Sequence, residues 1–198
     1  FVGAGQAGGR IVETFAKLGY GRCCAVNTTI ADLSQLKLRD TQKCDFGNAR
    51  GAGKDMRVAA SLARDKDEDF YDLLQRNWGP EVDYAFVCFA AAGGTGAGTF
   101  PKLVEVARRY LETTQRPVRV GAIIALPKNS EGQQFAKNAL QAVQQARALN
   151  LSPVILIDNQ KIQTLYSPKW DQAHAIENDS MATRGSAREP KAFGLDAW

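Results

Sequence analysis

Tyr84-Ala85-Phe86-Val87-Cys88-Phe89 runs straight into Ala90-Ala91-Ala92-Gly93-Gly94-Thr95-Gly96-Ala97-Gly98-Thr99, and Phe100-Pro101 follows. A short, continuous apolar run bounded by glycines reads as a strand buried on both faces. Proline fits the first turn of a helix, where its missing N–H has no partner in any case, so a helix opens at Phe100-Pro101. Between strand and helix stands a loop of glycines and threonines. Glycine lets backbone N–H groups come close to a ligand, and a helix N-terminus carries a partial positive charge. Strand, loop and helix together make a cradle for phosphate. The loop is not the P-loop of other nucleotide-binding proteins, which ends in Gly-Lys-Ser/Thr; the first lysine here is Lys102.

Outward from this loop the chain alternates strand and helix. Upstream, Phe1-Val2 ends a strand, and Arg10 to Leu18 carries Ile11, Val12, Phe15 and Leu18 at helical spacing. Cys23 to Val26 reads as a strand, and Thr29 to Leu36 as a short helix with Ile30, Leu33 and Leu36 inward. Cys44 to Lys54 reads as a loop, and Asp55 to Trp78 as one long helix with a charged, exposed middle. Downstream come a helix over Pro101–Glu112, a strand over Val118–Leu126, a helix over Glu131–Leu149 and a strand over Val154–Ile157. The inward stripe predicted for the Glu131–Leu149 helix is Phe135, Ala139, Leu140, Val143, Ala146 and Leu149. Ser167 to Ala182 reads as a helix and Thr183 to Trp198 as a loop. The fold class is therefore α/β, Rossmann-like, with a parallel sheet and helices on both faces. Ligands in such sheets bind at the carboxyl ends of the strands, where every glycine loop falls.

Composition narrows the classes. The 198 residues are 44% hydrophobic and 23% charged, with a net charge of +4, as in a globular domain. No stretch approaches about 20 apolar residues, so no membrane span is expected, and Phe1-Val2-Gly3 does not read as a signal peptide. Cys23, Cys24, Cys44 and Cys88 form no Cys-x-x-Cys pair, and one histidine offers no zinc set. A reducing, cytoplasmic setting suits these thiols. The basic residues are scattered, so direct nucleic-acid binding is not expected.

Gly3-Ala4-Gly5-Gln6-Ala7-Gly8 is a second glycine loop, of the Gly-x-Gly-x-x-Gly type. By itself it suggests a dinucleotide-binding oxidoreductase, but that fold wants an acidic residue about 20 residues on, ending the second strand. Asn27 ends that strand instead. The stretch Ala92-Gly93-Gly94-Thr95-Gly96-Ala97-Gly98 resembles the signature of the tubulin/FtsZ superfamily at every position. Five more places, in the family's order, carry the same resemblance. They are Gly5-Gln6-Ala7-Gly8, Asn27-Thr28, Gly51-Ala52-Gly53, Glu131-Gly132 and Asp158-Asn159.

The resemblance implies a GTPase that binds GTP or GDP with Mg2+ and polymerises head to tail. On it, Gly5, Gln6, Ala7 and Gly8 meet phosphate, as do Ala92 to Gly98. Asn27 and Thr28 face phosphate and metal, and Gly51, Ala52 and Gly53 sense the terminal phosphate. Glu131 takes the ribose hydroxyls and Asn159 reads the guanine edge. Trp170 stacks on the base. His174 stands where relatives carry Asn or Asp, and a neutral imidazole accepts one hydrogen bond at most, so guanine preference should be weaker here. Phe135 stands where FtsZ-like chains often carry an arginine near the ribose. Asp196 matches the loop that completes the neighbour's site and is the catalytic candidate, with Asp179 behind it. Residues 1–166 are then the nucleotide-binding domain and 167–198 a central helix and loop, with the second domain absent. The first loop is more like tubulin's than FtsZ's and suggests a prokaryotic, plasmid or phage relative. A valine at Gly96 should leave the fold and displace the nucleotide. A Rossmann-type oxidoreductase and a non-polymerising nucleotide-binding regulator stay open as alternatives.

Overall fold

A computed structural model describes residues 1–47, 51–115 and 119–167. Six strands form one sheet: β1 (Val2–Ala4), β2 (Cys24–Asn27), β3 (Lys43–Asp45), β4 (Tyr84–Ala90), β5 (Arg119–Leu126) and β6 (Val154–Asp158). Their order is β3-β2-β1-β4-β5-β6 and every pairing is parallel. The order reverses direction between β1 and β4, which pair through Val2–Val87, Gly3–Cys88 and Ala4–Phe89. Loops leaving those two strands diverge to opposite faces and leave a crevice between them.

The helices are α1 (Gly5–Lys17), α2 (Ile30–Ser34), α3 (Met56–Ala63), α4 (Asp67–Trp78), α5 (Thr95–Thr113) and α6 (Gln133–Ala148). Alternation along the strands assigns them to faces. In β4, Ala85, Val87 and Phe89 pack with Phe70, Leu73, Phe100, Leu103, Ala139 and Ala142 from α4, α5 and α6. Cys88 faces the other way, with Ile123 of β5 and Ile11 and Val12 of α1. Leu33 of α2 and Leu36 just after it cover Ala25 on a third small cluster. The sheet is thus buried between two helical layers, as its continuous apolar strands require.

Several boundaries differ from the sequence expectations. α1 begins at Gly5 rather than Arg10, and α5 at Thr95 rather than Phe100, with Pro101 inside it in the second turn. Gly5, Gly8, Gly96 and Gly98, which read as loop, lie in helical first turns, because the strands before them feed closely into helices packed on the sheet. The stretch read as one helix over Asp55–Trp78 is two, since Arg64–Lys66 offers no apolar residue to the core. The acids Asp67, Glu68 and Asp69 then start α4 at the helix end that favours negative charge. β3 falls inside what read as a loop. Ile30 and Leu140, expected inward, are 70% and 62% exposed. In α6, Ala139 and Ala146 are buried as expected, and Asn138 and Ala142 join them on the buried stripe in place of Leu140.

Candidate functional site

All strands being parallel, the loops after β1, β2, β4, β5 and β6 open on one edge of the sheet. Two of them touch at the crevice. Gly5 sits at φ +71°, a conformation that costs side-chain residues, and a Cβ there would stand 2.9 Å from Gly96 N. A Cβ at Gly96 would in turn meet Ala4 O at 2.8 Å and Phe89 Cβ at 3.2 Å. The first turns of α1 and α5 therefore lie backbone against backbone. Neither N-terminus has a side-chain cap: Ala4 precedes α1 and Gly94 precedes α5. By contrast, Asp55 caps α3 by accepting from Arg57 N at 2.8 Å. Arg57, through its backbone and side chain, holds the Asp55 carboxyl below its ordinary range. Two uncapped helix ends side by side present unpaired N–H groups and a concentrated partial positive charge.

Side chains bind the surrounding loops to this pair. Thr28 Oγ1, after β2, lies 2.9 Å from Thr95 Oγ1. Asn27 is turned to its own loop: Oδ1 accepts from Thr28 N at 2.7 Å and Nδ2 donates to Asp32 Oδ2 at 3.2 Å. The stretch 51–55 crosses the start of α5, so that a Cβ on Gly94 would lie 2.7 Å from Lys54 Cα and Asp55 N. Asn138 of α6 is 7% exposed and joins both segments. Its Nδ2 donates to Ala92 O at 3.1 Å and to Lys54 O at 3.3 Å. Nothing in the sequence reading singled out Asn138; the available signal was a lone amide among the alanines of the buried stripe.

Exposure divides the candidates. Gln6 is exposed, as is Gly53, while Gly51, Gly93, Thr95, Glu131 and Asn159 are half-buried and open to a ligand. Gly5, Ala7, Gly8, Asn27, Thr28, Ala52, Ala92, Gly94, Gly96, Ala97 and Gly98 are buried and shape the loops from beneath. Gly98 has no side chain because α3 lies there, with Ala59 Cβ 2.8 Å from a Cβ at that position. Glu131 accepts from Lys128 N at 2.7 Å through Oε1, which holds its carboxylate at the end of the β5 loop. Asn159 opens a helical segment over 159–167 directly after β6. Trp170, His174, Asp179 and Asp196 lie outside the described residues. The expectation for Gly96→Val is overturned: the clash with β1 and β4 falls on the fold itself.

Other chemistry is narrowly bounded. No group of three His, Cys, Asp or Glu side chains among the described residues could hold a metal. A Mg2+ ion here would depend on oxygens from phosphate and water, with the Thr28 and Thr95 hydroxyls alongside. All four cysteines are free, and burial pushes the Cys24 and Cys88 thiols up to about 12, so neither serves as a nucleophile near neutral pH. A cavity of about 870 Å3 lies at the opposite edge of the sheet, among the strand starts Phe1, Tyr84 and Arg119. It is remote from the glycine loops and their two uncapped helix ends. No helix among the described residues is long and apolar enough to cross a membrane.

A family model, Tubulin/FtsZ family, GTPase domain, matches residues 1–167. The chain belongs to the tubulin/FtsZ family. Cell division protein FtsZ 1 of Pyrococcus woesei is 32% identical over 168 residues, covering 81% of this chain and 42% of that protein. Among solved structures, the GDP-bound monomer of CetZ1 from Haloferax volcanii aligns with a TM-score of 0.71 at 27% identity, over 80% of this chain and 50% of that one. The GTPγS-bound protofilament of CetZ2 from the same organism also gives 0.71, at 25% identity, over 99% and 53%. The chain thus spans about two fifths of the curated relative's length and half of each solved structure. Its sheet and helices are those of the family's GTPase domain, and the resemblance first read in Ala92–Gly98 holds at the level of the family.

Proposed function

We propose that this chain is the nucleotide-binding domain of a GTPase that polymerises head to tail, with hydrolysis completed at the contact between subunits. The observation that carries the reading is the pair of uncapped helix N-termini, α1 and α5, touching at the crevice between β1 and β4. Such an arrangement suits a chain of phosphates better than any other common ligand, because adjacent anions meet adjacent rows of N–H donors. The phosphates rest on Gln6, Gly93 and Thr95, with the 51–53 loop at their outer side. Glu131 accepts from the ribose hydroxyls and Asn159 pairs with the base edge, where Trp170 stacks and His174 completes the contact. Asp196 of one subunit completes the site of the next. Mg2+ supplies charge neutralisation between the outer phosphates, held chiefly through water and phosphate oxygens.

Two observations support the reading, one from relatives and one from this chain. CetZ1 is described with GDP and CetZ2 with GTPγS in a protofilament, on the same fold. The apolar side chains of β6 also fit a domain that meets further structure, since Val154, Ile155 and Leu156 are 41–51% exposed at the sheet edge. Electron microscopy of the whole protein with GTP and then with GDP tests the proposal. Filaments with GTP that disappear with GDP are expected. Tight GTP binding with no assembly would make the protein a nucleotide-dependent regulator, and absence of GTP binding would end the proposal.

A further inference from the structure

Lys54 combines three features that the proposed nucleotide site does not by itself explain. Its backbone stands at φ +67°, in the left-handed region, which costs a residue with a Cβ. Gln115 and Asn150 share that region, but each follows the end of a long helix, where a left-handed residue closes the last turn. Lys54 instead precedes α3 and ends no helix. Next, its side chain is exposed, and its Nζ sits 4.7 Å from the centroid of the Phe135 ring on α6. No ion pair engages it among the described residues. Lys17, Lys43, Lys66 and Lys102 all pair with acids. Finally, its backbone crosses the uncapped end of α5, and its carbonyl is held by Asn138.

A lysine in that place adds a full charge to the partial charges of two helix ends, and no acid among the described residues forms an ion pair with it. Such a cluster is unfavourable until an anion arrives. An exposed ammonium against the half-buried Phe135 ring is weakly held, and phosphate oxygens compete with the ring easily because they offer charge-assisted hydrogen bonds. We infer that Lys54 is a phosphate-binding residue whose ammonium rests on Phe135 and moves onto the phosphates when nucleotide binds. This inference rests on the nucleotide reading above. The left-handed backbone then has a purpose: it keeps a cationic residue beside the uncapped start of α5, where glycine would fit the backbone and supply no charge.

The test is fluorescence titration of the whole protein with methylanthraniloyl-labelled GTPγS and GDP, beside thermal melting. Lys54→Gln should weaken nucleotide binding roughly tenfold or more, the worth of one charge-assisted hydrogen bond. Lys54→Arg keeps the charge and should stay within about threefold of the parent. Lys54→Gly relaxes the backbone, so it should hold or raise the melting temperature while losing binding as Gln does. Binding by the Gln and Gly variants within about twofold of the parent would overturn the assignment alone. So would equal losses in all three variants together with lowered melting temperatures, which would mark a structural role. A parent that binds neither nucleotide would overturn the nucleotide reading, and the assignment with it.

Discussion

At Gly96 the neighbours of a new side chain are the Ala4 carbonyl, at 2.8 Å, and Phe89 Cβ, at 3.2 Å, both fixed in central strands. Neither can give way without parting β1 from β4. Gly96→Val should therefore destabilise the protein by roughly 2–3 kcal/mol, the cost of overpacking a tight core, seen as a lower urea midpoint. Gly93 is the better probe of ligand approach, since a Cβ there meets nothing nearer than Ala90 O at 3.9 Å. Gly93→Ala should hold stability within about 1 kcal/mol and weaken nucleotide binding; unchanged binding would mean the ligand does not come close to that backbone. Asn138 is a residue of a different kind. Replacing it with alanine leaves two buried or half-buried carbonyls, Ala92 O and Lys54 O, without their shared donor. The expected loss is about 1–3 kcal/mol of stability. Nucleotide binding should weaken as well, because the loops on both sides of the α5 N-terminus are released together.

At the scale of elements, α1 is tied to the segment after α2 through one acid. Glu13 is 3% exposed; its Oε1 accepts from Lys37 N at 3.1 Å, and Lys17 and Arg10 lie at 3.1 and 3.5 Å. Burial works to raise its pKa, yet the Lys37 N–H and the two cations outweigh it, and the carboxyl is held below its ordinary value. A folded value below the unfolded one of about 4.3 means that the charge stabilises the fold above that pH. The stabilisation fades as pH falls through the lower, folded value. Glu13→Gln should thus cost about 1–3 kcal/mol at pH 7, and the gap between variant and parent should close under acid. A gap that stays constant with pH would assign Glu13 a packing role only. The elements also show what sequence could carry. The strands were legible because burial on both faces demands unbroken apolar runs such as Val120 to Leu126. The first turns of α1 and α5 were not, because glycine reads as loop whenever tertiary packing, rather than propensity, makes the helix. β3 is three residues long and gains its strand character from pairing with β2, which no local pattern reports. Lys54 and Asn138 were hidden for a similar reason: each matters through partners that the fold brings from distant sequence.

At the scale of the whole molecule, the glycine loops, Glu131 and Asn159 all lie along one edge of the sheet, and the strand starts lie along the other. A nucleotide at the first edge would face outward, where a second subunit can cover it. The described residues at the two helix N-termini supply hydrogen-bond donors and hydroxyls, while Asp32 and Asp55 in the neighbouring loops are engaged with Asn27 and Arg57. Under the proposed function, the group that positions the attacking water therefore comes from the neighbouring subunit, and Asp196 is the candidate. Asp196→Ala should bind GTP as the parent does and still assemble, since nucleotide fills the contact. Turnover in its filaments should drop on the order of a hundredfold, the usual worth of a base or water-positioning group. In the parent, GTP turnover per subunit should climb with protein concentration through the assembly threshold, because a lone subunit holds half of the site. Phosphate release measured over a dilution series, with sedimentation of filaments in parallel, reads both. A turnover number that stays constant below the threshold would place the complete machinery within one chain, and Asp196 would lose its role.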